Sequence, residues 1–182
     1  AQYLRDRFVV YGLQAPPGGM LQGFSAPSRR GGATIHSRNV LGVLPGSGSL
    51  IDQWVVVGGH YDHIGFRGLP DERAGPNNGA DDNASGTAVL LEMARVFRRY
   101  VQGGGTGGHP RRSVLFAAWG AEEEGLLGSC HYVFVDPAVP ITRTRALLNF
   151  DMVGRLRDDV LVVSGGETSK AWAALLPNSN SL

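Results

Sequence analysis

The 182-residue chain is 42% hydrophobic and 18% charged, with a formal net charge of +1. That balance describes a folded chain with a core of its own and excludes a disordered one, and so weak a field argues against an electrostatic nucleic-acid or anionic-membrane binder. No apolar run approaches the roughly 20 residues of a bilayer span, and the single Cys130 rules out an internal disulfide.

Residues 2–13 set Tyr3, Leu4, Phe8, Val9 and Leu13 near helical spacing, and Pro16-Pro17-Gly18-Gly19 ends that helix. Gly32 to Val43 reads as one or two strands closed by Pro45-Gly46-Ser47-Gly48. Trp54-Val55-Val56-Val57 is a short run of the kind buried on both faces of a sheet, and it leads to His60 and Asp62. A Gly/Pro/Asn-rich loop over 64–80 follows. A helix is expected from Ala84 to Tyr100, with Leu90, Leu91, Ala94 and Phe97 as its apolar stripe and Arg95, Arg98 and Arg99 suited to its C-terminal end. Gly103 to Gly108 is a connector. A second buried strand, Ser113 to Trp119, leads to Glu122 and Glu123, and a helix over 126–135 follows it. Ala146 to Phe150 is a third strand, leading to Asp151, and Val160 to Val163 a fourth; Thr168 to Leu176 reads as a final helix.

Strands alternating with helices imply an α/β fold: a mostly parallel central sheet with helices on both faces. Ligands in such sheets gather beyond the carboxyl ends of the strands. Four motifs fall there: His60-Tyr61-Asp62, Asp81-Asp82 within Gly79 to Gly86, Glu122-Glu123-Glu124, and Asp151. Carboxylates and an imidazole at the ends of buried strands are costly unless a cation meets them, so the set points to metal, and the number of donors to two ions.

Each motif has a blander reading. His60 and Asp62 could be turn residues; Asp82, Asn83 or Ser85 could cap a helix. The Glu122–Glu124 run could be a solvated helix start, and Asp151 could pair with Arg145 or Arg155. Asp62 can accept a hydrogen bond from His60 or a neighbour. Asp81 precedes the capping position, which makes it the better candidate to bridge two cations. One glutamate of the Glu122–Glu123 pair can bind metal while the other takes a proton from water.

From about Trp54 to Arg155 the motifs together resemble the zinc aminopeptidase family that includes bacterial leucyl aminopeptidases, aminopeptidase Y and the glutamate carboxypeptidase II group. Gly79-Ala80-Asp81-Asp82-Asn83-Ala84-Ser85-Gly86 and Glu122-Glu123-Glu124-Gly125-Leu126-Leu127-Gly128-Ser129 carry the likeness. The resemblance implies a zinc-exopeptidase fold of the phosphorylase/hydrolase-like type. It implies that His60 and Asp151 bind one Zn²⁺, Asp81 bridges, and Glu123 binds the second. Glu122 is then the general base, Asp62 orients His60, and a cis peptide joins Asp81 to Asp82.

The family's fifth ligand is a downstream His, and the chain has no His after Asp151. His63 lies near His60 but is not assigned to the site. The second zinc site is therefore expected to be incomplete, and residues 1–182 to be one catalytic domain lacking its C-terminal part. The activity implied is hydrolysis of N-terminal residues from peptides by a di-zinc-bound hydroxide, in a secreted or periplasmic protein. The same fold also serves single-zinc glutaminyl cyclases and non-catalytic binding modules. Residue preference and oligomeric state are not legible.

Overall fold

The structure, a computed structural model, describes residues 1–28, 32–66, 75–105, 107–156, 158 and 160–179. Its elements in chain order are α1 (Gln2–Val10), β1 (Leu21–Pro27), β2 (Thr34–Leu44), β3 (Trp54–His60), α2 (Gly86–Gln102), β4 (Ser113–Trp119), α3 (Leu127–Phe134), β5 (Thr144–Asn149) and α4 (Lys170–Ser179). The strands form one sheet in the order β1-β2-β4-β3-β5.

β3 lies between β4 and β5 and is parallel to both, with Val57 opposite Phe116 on one side and Leu148 on the other. The parallel core expected from the apolar runs is therefore present. β2 extends it antiparallel to β4, and β1 pairs antiparallel with β2, so the sheet is mixed. β1 lies outside the strands expected from sequence. Its buried positions include Gln22 as well as Phe24, so a polar residue breaks the period that would mark it. Val160–Val163 was expected to be a strand; among the described residues it forms none, and all four side chains are exposed. The middle of the expected loop, 67–74, lies outside the described residues.

The sheet's two faces bury separate clusters because side chains alternate along each strand. Val40, Leu44, Val57, Phe116 and Ala118 face α1 and α2, meeting Leu4, Phe8, Leu90 and Ala94. Leu41, Val43, Val56, Leu115, Ala117 and Trp119 face the other way, towards Tyr132 of α3. Gly42 has no side chain because α1 lies directly against β2: a Cβ there would sit 2.8 Å from both Leu13 and Phe8. Asn39, fully buried, donates to Gln22 and to the Gly128 carbonyl and accepts from the Gly120 N–H, tying β2 to the start of α3. Among the described residues no helix is long and apolar enough to cross a membrane.

Three parallel strands thus end together. His60 is the last residue of β3, Glu122 and Glu123 lie just past β4, and Asp151 lies just past β5.

Candidate metal centre

His60 is 1% exposed, fixed at the end of β3 opposite Trp119. Its Nδ1 lies 3.1 Å from the carbonyl oxygen of Asp62, an acceptor, so Nδ1 carries the proton. Nε2 is the ring nitrogen turned towards the other strand ends, and what it faces is acidic. Asp82 Oδ1 lies 3.1 Å away, Asp151 Oδ1 3.4 Å and Glu122 Oε2 3.9 Å. A lone pair surrounded by carboxylate oxygens is repulsive unless a proton or a cation sits between them.

A second imidazole faces the same carboxylate from the other side. His63 Nδ1 lies 2.8 Å from Glu123 Oε1 and 3.8 Å from Asp82 Oδ2. Two sets of donors therefore converge, His60–Asp82–Asp151 and His63–Asp82–Glu123, each with its donor atoms within 4.8 Å of one another. Asp82 belongs to both, one oxygen to each. One nitrogen and two oxygens per set suit Zn²⁺, and three protein donors leave a position open, as at catalytic zinc sites. Among the described residues, the ion pairs of Asp82, Glu122, Glu123 and Asp151 are with His60 and His63 alone.

Glu122 belongs to neither set. Partial burial pushes its carboxyl above the usual range; nearby His60 opposes the shift, and Asp151, Glu123 and Asp62 add to it. A carboxylate with raised proton affinity beside two candidate donor sets is suited to receive a proton.

Three expectations need correction. Asp81, expected between the two cations, turns away. Its Oδ1 accepts the Gly154 N–H at 2.8 Å, and its Oδ2 lies 3.4 Å from Arg155 Nε. The register is one residue later than expected: Asn83 is the buried residue of the turn, its Oδ1 accepting the N–H of Gly86 at 2.9 Å, and Asp82 before it faces the imidazoles. The cis peptide likewise joins Asp82 to Asn83, not Asp81 to Asp82.

Asp62 does not hold the His60 ring through its side chain. The ring is held by the Asp62 backbone carbonyl, while the carboxylate accepts the N–H groups of Glu122 at 3.0 Å and Glu123 at 3.2 Å. A carboxylate binds two adjacent amides better than one distant imidazole, and His60 Nδ1 is 3.8 Å from Asp62 Oδ1.

His63, left out of the expected site, stands in it. Its spacing three residues past His60 carries no signal of this, because the chain has already left the strand. Glu124 is not a free surface acid either: it accepts from Ser28 Oγ at 2.9 Å. Beside His63 opens a recess of about 440 Å³, lined in part by Tyr61, Asn83, Thr87 and Leu91.

The family model of peptidase family M28 matches residues 39–181. The chain belongs to peptidase family M28. The matched span holds all four motifs. The M28 chain is 36% identical to aminopeptidase YwaD of Bacillus subtilis over 118 residues, which are 65% of this chain and 22% of that protein. It is 39% identical to aminopeptidase NAALADL1 of Mus musculus over 116 residues, 64% of this chain and 14% of that one. The chain thus spans less than a quarter of the length of either relative. Among solved structures, BSAP, a zinc aminopeptidase from Bacillus subtilis, matches with TM-score 0.59 and 29% identity, over 81% of this chain and 34% of that one. The glutaminyl cyclase of Porphyromonas gingivalis matches with TM-score 0.61 at 20% identity, over 84% of this chain and 51% of that one. That second likeness is one of fold alone.

Proposed function

We propose that this M28 chain carries the catalytic centre of a zinc exopeptidase that removes N-terminal residues from peptides. The observation that carries the proposal is the shared carboxylate: Asp82 faces His60 with one oxygen and His63 with the other, and Glu122 stands beside them in neither donor set. Aminopeptidase action is supported by the similarity to the aminopeptidases YwaD and NAALADL1.

His60, Asp82 and Asp151 would hold one Zn²⁺, and His63, Asp82 and Glu123 a second. His63 would supply the nitrogen donor that the resemblance assigns to a downstream His. When bound, the ions supply Lewis acidity, polarising the scissile carbonyl and lowering the pKa of the attacking water. Glu122 accepts the proton of that water, standing beside both donor sets and belonging to neither. It then releases the proton to the departing amine, so carboxylate and proton balance over one turnover. Asp62 holds the Glu122 and Glu123 backbone in place through both amides. The recess beside His63 is within the size range of ligand pockets and offers Leu91 and Tyr61 to a substrate side chain.

Among the described residues β5 pairs with β3 alone, and its Leu147 and Leu148 are 55% and 37% exposed. This apolar edge supports a catalytic domain larger than 1–182. The test of function is Glu122→Gln in the full-length protein. Leucyl-anilide hydrolysis should fall by about 10²-fold or more with zinc content unchanged. Activity within a few-fold of wild type would overturn the role of Glu122. One zinc per chain instead of two would favour a single-zinc site.

A further inference from the structure

Asp151 is bracketed by hydrogen bonds that its own side chain does not make. The three backbone N–H groups that follow it each meet a different side chain of the 80–85 turn. Met152 N–H donates to Asn83 Oδ1 at 3.3 Å, Val153 N–H to Ser85 Oγ at 3.1 Å, and Gly154 N–H to Asp81 Oδ1 at 2.8 Å. On the other side of Asp151, the Asn83 amide donates to the Phe150 carbonyl at 2.8 Å. Asn83 is 2% exposed, so its oxygen and its NH₂ group are both committed within the protein.

The packing is as close as the bonding. A Cβ on Gly154 would sit 2.8 Å from Asp81 Oδ1, and one on Gly86 would sit 2.3 Å from the Phe150 carbonyl oxygen. The three side chains alternate with Asp82 along the turn: residues 81, 83 and 85 reach the 150–154 segment, while Asp82 faces the two imidazoles. Asp81 and Asn83 thus flank the shared carboxylate and hold the chain that presents Asp151.

We infer that Asp81, Asn83 and Ser85 are positioning residues, a clamp that sets the Asp151 carboxylate against His60 Nε2 at a fixed separation from Asp82. The inference rests on the reading of Asp82 and Asp151 as zinc donors. A donor pair brought by two separate loops binds a cation well only if the loops are ordered beforehand, because ordering on binding subtracts from the affinity. The operative contact of Asp81 is the Gly154 N–H; its pairing with Arg155, a side chain 66% exposed, contributes little.

The test uses full-length protein in two measurements. Amide hydrogen exchange over 150–155 is followed in zinc-free protein, and zinc affinity is measured by chelator competition. Asp81→Ala should speed exchange at 152–154 while β3 and β4 keep wild-type protection, and should weaken zinc binding by about tenfold or more. Asp81→Asn keeps an oxygen for the Gly154 N–H and should restore both readouts to within about threefold, as expected when the hydrogen bond rather than the charge matters. Ser85→Ala should act in the same direction as Asp81→Ala. It serves as the second arm, because Asn83→Ala, which empties a buried amide, is the variant most exposed to misfolding. Unchanged zinc affinity in Asp81→Ala overturns the inference, as does exchange that speeds equally across β3 and β4, or an Asn variant as weak as Ala. If Asp151→Ala leaves zinc affinity unchanged, the zinc reading itself fails, and the exchange data on zinc-free protein still decide whether the clamp exists.

Discussion

Asp62→Ala is the perturbation that best separates a scaffold for the Glu122–Glu123 backbone from a partner of the His60 ring. The carboxylate accepts two amides, at 3.0 and 3.2 Å, and its side chain is 23% exposed. Hydrogen bonds to a charged acceptor are worth about 1.5–3 kcal/mol each, and partial exposure lets water replace part of that, so the loss on truncation should be roughly 2–4 kcal/mol. Asp62→Asn retains one oxygen and turns an NH₂ towards the second amide, so it should lose about half as much. Urea unfolding of the zinc-free wild type and both variants gives these differences. Activity should fall further than stability suggests, since a shift of about 1 Å in a catalytic carboxylate can cost some 10²-fold in rate. Two results would refute the reasoning. One is an Ala variant within about 0.5 kcal/mol of wild type, below the smallest net hydrogen bond expected. The other is an Asn variant that matches Ala in stability while both lose zinc first, which would return Asp62 to the His60 ring.

Zinc stoichiometry by elemental analysis should follow the donor sets. Glu123→Ala and His63→Ala should each remove one ion, Asp151→Ala the other, and Asp82→Ala both; an Asp82→Ala protein that kept one tight zinc would break the shared-carboxylate assignment. Tyr132 sits 97% buried against Trp119, with a hydroxyl that has no hydrogen-bond partner among the described residues. Tyr132→Phe should therefore be neutral or stabilising by up to about 1–2 kcal/mol, read as the urea midpoint. Burial pushes the Tyr132 hydroxyl up to about 12. The folded protein holds that proton more tightly than the unfolded chain, so the associated stability is full below about pH 10 and declines as pH rises towards 12. The Phe variant should consequently resist alkaline unfolding better than wild type, and equal alkaline midpoints would count against the burial argument.

The strand ends were legible because physics marks them twice. Trp54–Val57 and Ser113–Trp119 are too apolar and too short to be anything but strands of a parallel core, and Ala146–Phe150 adds the edge strand beside them, with Leu147 and Leu148 exposed. An acid or imidazole directly after such a run demands a partner. What was not legible depends on side-chain choices that have no period. Gln22 fills an inward position of β1 by bonding Asn39 and the Asp136 carbonyl, which hides the strand. Asp81 and Asp82 are chemically identical, and which of them faces the imidazoles is set by tertiary contacts, Asp81 with the Gly154 N–H and Asn83 with Gly86 and the Phe150 carbonyl. His63 enters through the path of the chain after β3, and spacing along the sequence does not record that path.

The two donor sets that share Asp82 are not equivalent, and the difference lies in what holds each imidazole. His60 is the last residue of a strand paired on both sides, with its side chain 2% exposed and its tautomer set by a backbone carbonyl. Asp151 opposite it is bracketed by bonds on either side. His63 lies past the strand in irregular chain, its side chain 21% exposed, with Glu123 as its near partner. A preorganised set loses less entropy on meeting a cation than one whose donor must be ordered first. The geometry therefore builds one rigid and one adaptable position around a single carboxylate. Glu122 stands nearer the rigid one, 3.9 Å from His60 Nε2. Of the five donors, His63 alone also lines the recess, so the less firmly held set is the one beside it.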